Sequence, residues 1–255
     1  MGTALIRGML RGRIVAPKRL ITWDPDAGKL GRLTRQLKIR RARSNVEVAA
    51  AQVVLLAVKP QQMEEALAEI RPNLSHRPLL ISIAAGISTG WIERRVGKSI
   101  PVVRVMPNTP ALVGAGMAAI AAGKRADAGH LRLAQRLFGC VGRVVRVPER
   151  LIDAVTAVSG SGPGYFFFLM EQMIEAGVAL GLPPNVARGL VLQTAKGAAR
   201  LAEESEEDPR RMREKVTSKG GTTEAAFRVF SKGRLGKLLQ QGITAAARRA
   251  KELGR

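Results

Sequence analysis

Short apolar, β-branched runs alternate with longer stretches of helical period through the first half of the chain. The runs Leu20–Trp23, Val53–Val58, Leu79–Ile83, Val102–Met106, Met117–Ala121 and Val144–Val147 predict strands. Between them Ala27–Leu37, Gln61–Ile70, Thr89–Val96 and Ala128–Phe138 predict helices. Strands that alternate with helices imply a largely parallel sheet covered by helices. The pattern changes near Arg150, after which no run reads as a strand. Pro163–Leu180, Asn185–Glu204, Pro209–Val216, Thr223–Phe230 and Leu235–Leu253 are helical instead. Gly181-Leu182-Pro183-Pro184 punctuates the first pair, and the acidic run Glu203–Asp208 the next. The expected organisation is an α/β domain over 1–149 followed by an all-helical domain over 150–255. Met1–Leu10 is already helical in pattern, so the first strand comes only at Leu20.

A hydrophobic content of 46% over 255 residues supplies a substantial core and argues against disorder. Cys140 is the single cysteine, so no intrachain disulfide forms, which suits a reducing cytoplasm. With His76 and His130 the only histidines, a histidine/cysteine metal site is not expected. No apolar stretch approaches the roughly 18 residues of a membrane span, and the N-terminus lacks the order of a signal peptide. The formal net charge of +22 raises the question of a nucleic-acid partner. The basic residues are scattered, however, with Arg40, Arg41 and Arg43 the densest run, and aromatics are only 4% of the chain. That leaves little for base stacking. The charge reads as a solvated surface that attracts anionic ligands as a by-product.

Chemistry concentrates in loops. In Thr217-Ser218-Lys219-Gly220-Gly221-Thr222-Thr223-Glu224, hydroxyls and two glycines lie between helical runs. Glycines let backbone approach a ligand, and the unpaired amides of the next helix form an anion site. The plain alternative is an N-cap supplied by Thr222 or Thr223 with Glu224 in the first turn. Ala57-Val58-Lys59-Pro60, Ser82-Ile83-Ala84-Ala85-Gly86 and Arg104–Pro110, which holds Asn108, follow strands at the sheet edge where ligands bind in open α/β folds. Val158–Tyr165, small and glycine-rich, joins the two regions, with Pro163 suited to the first turn of a helix.

Taken in order, Ala57–Pro60, Ser82–Gly86, Arg104–Gly116 (R-V-M-P-N-T-P-A-L-V-G-A-G), Ser159–Tyr165 and Ser218–Thr223 make the chain resemble the pyrroline-5-carboxylate reductases along essentially its whole length. The resemblance implies a Rossmann-type domain followed by an all-α dimerisation domain, with dimers that commonly assemble into decamers. It implies reduction of 1-pyrroline-5-carboxylate to L-proline with hydride from NADPH, or from NADH. By position, Ser218, Gly220, Gly221, Thr222 and Thr223 would hold the substrate carboxylate. Thr223 would also hydrogen-bond the ring nitrogen, which makes it the catalytic candidate. Asn45, Ala57, Val58, Lys59 and Pro60 would line the adenosine end of the cofactor. Ala84, Ala85, Gly86 and Asn108, with Ser161 and Gly162, would lie towards the nicotinamide.

The departures are specific. The family fingerprint runs roughly G-x-G-N-M-G after a first strand, and only Met1-Gly2 of it remain, leaving Gly2 as its one cofactor-binding glycine. The expectation is an N-terminal truncation that leaves two neighbouring strand edges open. Lys219 stands where the family usually has proline, and Gly164 where alanine is usual. Asp24 ends the strand that approaches the adenosine ribose, where a carboxylate can bond a 2′-hydroxyl and repel a 2′-phosphate; Lys29 and Arg32 argue the other way. A hydroxyacid reductase of similar layout would need a lysine within Pro163–Leu180, and there is none. A truncated, catalytically impaired dimeric relic of the family and a basic nucleic-acid-binding protein are the remaining alternatives.

Overall fold

The computed structural model describes residues 1–97 and 99–254 and divides the chain into two units, Met1–Ser161 joined by 246–254, and Gly162–Ala245. The first unit opens with α1 (Gly2–Arg11), β1 (Ile21–Thr22), α2 (Ala27–Leu37), β2 (Arg40–Arg41), α3 (Asn45–Ala49) and β3 (Val53–Leu56). It continues through α4 (Met63–Ile70), β4 (Leu79–Ser82), α5 (Thr89–Val96), β5 (Val102–Pro107), β6 (Gly116–Ala122), α6 (Ala128–Gly139), β7 (Gly142–Arg146) and the short α7 (Ile152–Val155). The strand-helix alternation is as the sequence pattern predicts.

The sheet owes its two-sided burial to strands that are apolar on both faces. On β4, Leu79 and Ile81 join Leu5, Met9, Val103, Ile120 and Phe138 in one core. Leu80 points the other way, into a second core with Met63, Leu67, Ile92 and Val102. A strand that is apolar at every position is what burial between helical layers requires. β3 to β7 form one sheet in sequence order, parallel throughout except for the antiparallel pair β5–β6, where Val105 stands opposite Ile120.

β1 and β2 form a separate parallel pair. Leu20 and Thr22 accept from the Arg40 and Ala42 amides, so the peptide groups of Ile21 face away from β2. Gln52 and Leu56 accept from Leu79 and Ile83, so those of Val53 and Leu55 face away from β4. Among the described residues both edges are unpaired, and Leu20, Val53 and Leu55 pack on the same core.

The second unit is helical: α8 (Gly162–Ala179), α9 (Pro184–Glu204), α10 (Pro209–Lys215), α11 (Thr222–Lys232) and the start of α12 (Leu235–Glu252). Gly181 turns α8 into α9 with φ 96°, a conformation that favours glycine. A Cβ added to Gly177 would already stand 3.3 Å from the Ala187 methyl. Few residues of this unit are buried, Gly162, Ala187 and Val191 among them. Phe166, Phe167 and Phe168 are each more than 60% exposed. Three consecutive helical positions span too wide an arc for one neighbouring helix to cover. Leu169, Met173, Leu190 and Leu238 are exposed as well.

Candidate active site

The carboxyl ends of β1 and β2 meet at a cavity of about 470 Å³ lined by Trp23, Asp24, Pro25, Ala27, Leu30, Arg41, Ala42 and Arg43. Asp24 follows β1 on the cavity wall, but its carboxylate is not free. One oxygen accepts from the Asp26 amide at 3.1 Å, and the other is ion-paired with the Lys29 ammonium. Asp26 caps α2 by accepting from the Lys29 amide at 2.8 Å, and that bond holds its carboxyl below the usual carboxylate range. Asn45 opens α3 next to the cavity wall, but its side-chain amide donates to Glu69 at 2.8 Å.

Arg41 and Arg43 are cavity residues that sequence reasoning missed. Arg40–Arg41 is a strand without an apolar residue, so no hydrophobic period reveals it, and the basic run reads as solvated surface. Its charge density was the only available signal.

Gly2 and Ala57 are brought together: a Cβ on Gly2 would stand 3.4 Å from the Ala57 Cβ. The first bond of α1 runs from the Ala4 amide to the Met1 carbonyl, leaving the Gly2 and Thr3 amides ahead of it, beside the end of β3. Helix-start amides of this kind suit a phosphate. Val58 and Lys59 lead from β3 into a turn begun by Pro60, with Lys59 exposed.

The loop after β4 is held more tightly. Ala84 is buried and its amide donates to the Ser82 hydroxyl at 3.3 Å, and Ala85 is half-buried. Gly86 has φ 78°, and a Cβ there would stand 2.7 Å from the Leu253 carbonyl carbon. The small residues expected to face a flat ring therefore also receive the end of the chain. Asn108 spends its whole side chain on the protein. Its oxygen accepts from the Met117 amide at 2.8 Å, and its nitrogen donates to the Ser159 carbonyl at 3.2 Å and hydroxyl at 3.4 Å. Asn108 thus staples β6 to the π-helical turn Thr156–Gly160, whose next residue, Ser161, donates its amide to Thr156 at 2.8 Å. Gly162 is buried at the first position of α8.

In the second unit, the turn before α11 has the predicted geometry but not the predicted cap. Gly221 is the N-cap and no side chain caps the helix. Gly220 adopts φ 75°, and the Gly221 amide donates to the Ser218 carbonyl at 3.0 Å. A Cβ on Gly221 would stand 2.4 Å from the Ser218 hydroxyl oxygen, which would have to rotate away, and 3.1 Å from the Ser218 carbonyl oxygen. Glu224 reaches back to accept from the Gly220 amide at 2.6 Å and is paired with Arg228 at 3.2 Å. The first intrahelical bond runs from Ala225 to Gly221, which leaves the Thr222 and Thr223 amides ahead of it. The Ser218 and Thr222 side chains are exposed, and Thr223 is half-buried. This arrangement can hold a carboxylate between helix-start amides and hydroxyls.

Residues 149–253 match the family model described as pyrroline-5-carboxylate reductase dimerisation. Residues 1–86 match the one described as NADP oxidoreductase coenzyme F420-dependent. A pyrroline-5-carboxylate reductase from Synechocystis sp. is 42% identical over 259 aligned positions, covering 100% of this chain and 95% of that one. The chain belongs to the pyrroline-5-carboxylate reductase family. Among solved structures, the Coxiella burnetii pyrroline-5-carboxylate reductase is 38% identical with a TM-score of 0.91, covering 100% of this chain and 95% of that one. The Plasmodium falciparum pyrroline carboxylate reductase with NADP bound has a TM-score of 0.92 at 30% identity, with the same coverage. The fold expected of the resemblance is thereby established, a Rossmann-like unit followed by a helical dimerisation region, and the cofactor of this family is NAD(P)H. No helix among the described residues is long and apolar enough to cross a membrane. No group of three or more His, Cys, Asp or Glu residues among them could hold a metal ion.

Proposed function

We propose that the chain reduces 1-pyrroline-5-carboxylate to L-proline with NAD(P)H, working in the cytoplasm as a homodimer that can build up to a decamer. The observation that carries this reading is the turn Ser218–Thr223 in a chain of this family. Its helix-start amides and hydroxyls suit the carboxylate of a small cyclic imino acid. Glu224 already takes the Gly220 amide, so Thr222 and Thr223 supply the remaining donors. Thr223 orients the imine by a hydrogen bond at the ring nitrogen.

When bound, the nicotinamide supplies the hydride. A protonated imine is a ready hydride acceptor, so the protein's own work is to bind, orient and keep both reactants in register. No histidine or cysteine is needed for that. Gly2, Ala57, Val58, Lys59 and Pro60 belong to the phosphate and adenosine end of the cofactor, together with Asp24, Asn45 and the cavity beside β1 and β2. Ala84, Ala85, Gly86, Asn108, Ser161 and Gly162 belong to the nicotinamide end, Asn108 through its staple rather than a free side chain. The exposed Phe166, Phe167 and Phe168 support pairing of two copies through the helical unit.

The test is NADPH oxidation by the full chain with pyrroline-5-carboxylate. Turnover that drops by about two orders of magnitude in Thr223→Val is expected, from loss of a positioning hydrogen bond in the transition state. Unaltered turnover in that variant removes Thr223 from its role. A folded dimer with no turnover defeats the reading.

A further inference from the structure

The cavity at the ends of β1 and β2 contains one acid and two arginines, and their bonding states differ. Both oxygens of Asp24 are used within the protein, one by the Asp26 amide and one by Lys29. A carboxylate at this strand end repels a 2′-phosphate through its charge. Here the charge is balanced by Lys29, which removes most of its repulsion towards an incoming anion. Arg41 and Arg43 line the same cavity and are exposed. Neither guanidinium forms an ion pair among the described residues. The nearest acid in sequence, Glu47, directs its carboxylate to the Arg43 backbone amide at 2.9 Å.

Arg41 ends β2 and Arg43 lies in the bend that follows it, and both line the same cavity. Ala42 between them is buried and forms part of the same wall. Two unpaired guanidinium groups on one wall form a site for a doubly charged phosphate, which arginine binds through paired, charge-assisted hydrogen bonds. A bare 2′-hydroxyl offers nothing for either group to neutralise.

We propose that Arg41 and Arg43 are the specificity-determining residues of the cofactor site and read the 2′-phosphate of NADPH. The inference rests on the reductase reading. It assigns NADPH over NADH by the chemistry of one wall, with the charge of Asp24 balanced by Lys29.

The test separates recognition from catalysis by using nucleotide fragments without substrate. Calorimetric titration of the full chain with adenosine 2′,5′-bisphosphate and with adenosine 5′-monophosphate gives the ratio of the two affinities. A ratio of about tenfold or more in favour of the bisphosphate is expected, falling as salt is raised. Replacing both arginines (Arg41→Ala with Arg43→Ala) should bring the ratio to about one, because nothing else on the wall reads the extra charge. The pair Arg41→Lys and Arg43→Lys should keep part of it, which guards against a merely damaged fold. Equal affinity in the parent chain, no binding of either nucleotide, or an unchanged ratio in the double alanine variant each overturn the proposal. The ratio of kcat/KM for NADPH and NADH is measured in parallel. Turnover without fragment discrimination sinks this inference and leaves the reductase reading intact, whereas discrimination without turnover does the reverse.

Discussion

Arg104, on β5 and almost fully buried, donates to Asp153 at 2.9 Å and lies 3.8 Å from Glu149. Glu149 in turn accepts from the Thr89 amide at 2.7 Å and hydroxyl at 2.6 Å. One guanidinium therefore ties the middle of the sheet to the start of α5 and to the segment that leads into the turn carrying Ser159. Ser159 receives Asn108, so the loop after β5 and the turn at 156–160 are fixed from two directions.

Arg104→Ala is expected to destabilise the chain by about 3 kcal/mol, because it strands two acids beside a core. The side chains of Asp153 and Glu149 are 32% and 28% exposed, so water relieves part of the loss. Asp153→Asn keeps an acceptor opposite the arginine and should cost only about 1 kcal/mol. Urea denaturation of the two variants measures the difference, and equal losses would show that charge pairing with Asp153, rather than packing of the guanidinium, carries the whole effect.

Much of this arrangement was written in the hydrophobic pattern, and the parts that were not have physical reasons. The apolar runs at Val53, Leu79 and Val102 specify buried strands because nearly every position is apolar, with Ser82 and Arg104 the exceptions. Ala27–Leu37 and Thr89–Val96 have the predicted bounds, each opened by a side-chain cap, from Asp26 and from Ser88. Arg40–Arg41 escaped because pairing with β1, not burial, makes it a strand. The antiparallel direction of β6 has no signature in a period of two. Asn108 was legible as a loop residue of interest, but its three bonds depend on Met117 and Ser159, brought near only by the fold. The turn at Ser218–Gly221 was read correctly from its glycines. That Glu224 claims the Gly220 amide needed coordinates.

Two capping aspartates make stability depend on acid. Asp26 is held below its ordinary value of 3.8 mainly by the Lys29 amide, and Asp127 is likewise lowered mainly by the His130 amide. For a group whose folded value is depressed, the stabilisation is complete above the unfolded value and is lost as pH falls through the folded one. Stability from both caps should therefore be full at about pH 6 and decline below about pH 4. Asp26→Asn and Asp127→Asn keep a cap but not the charge, so each should differ from the parent chain near neutrality and converge with it in acid. Denaturation across that range checks the sign; a difference that widens in acid contradicts it.

Gly86 meets two demands at once, and they can be separated. Its φ of 78° costs an L-residue about 1 kcal/mol. An added Cβ would also stand 2.7 Å from the Leu253 carbonyl carbon and 2.9 Å from the Gly254 nitrogen. Those are backbone atoms and cannot rotate away, so Gly86→Ala must push the end of the chain off the loop. The expected result is a loss of stability of about 2 kcal/mol, with faster tryptic cleavage at Arg249 and Lys251 as their helix end loosens. Ending the chain at Lys251 removes the steric part. In that background Gly86→Ala should cost only the backbone share, about 1 kcal/mol. If the two backgrounds respond alike, the contact with Leu253 and Gly254 does not constrain Gly86, and its conformation alone requires glycine.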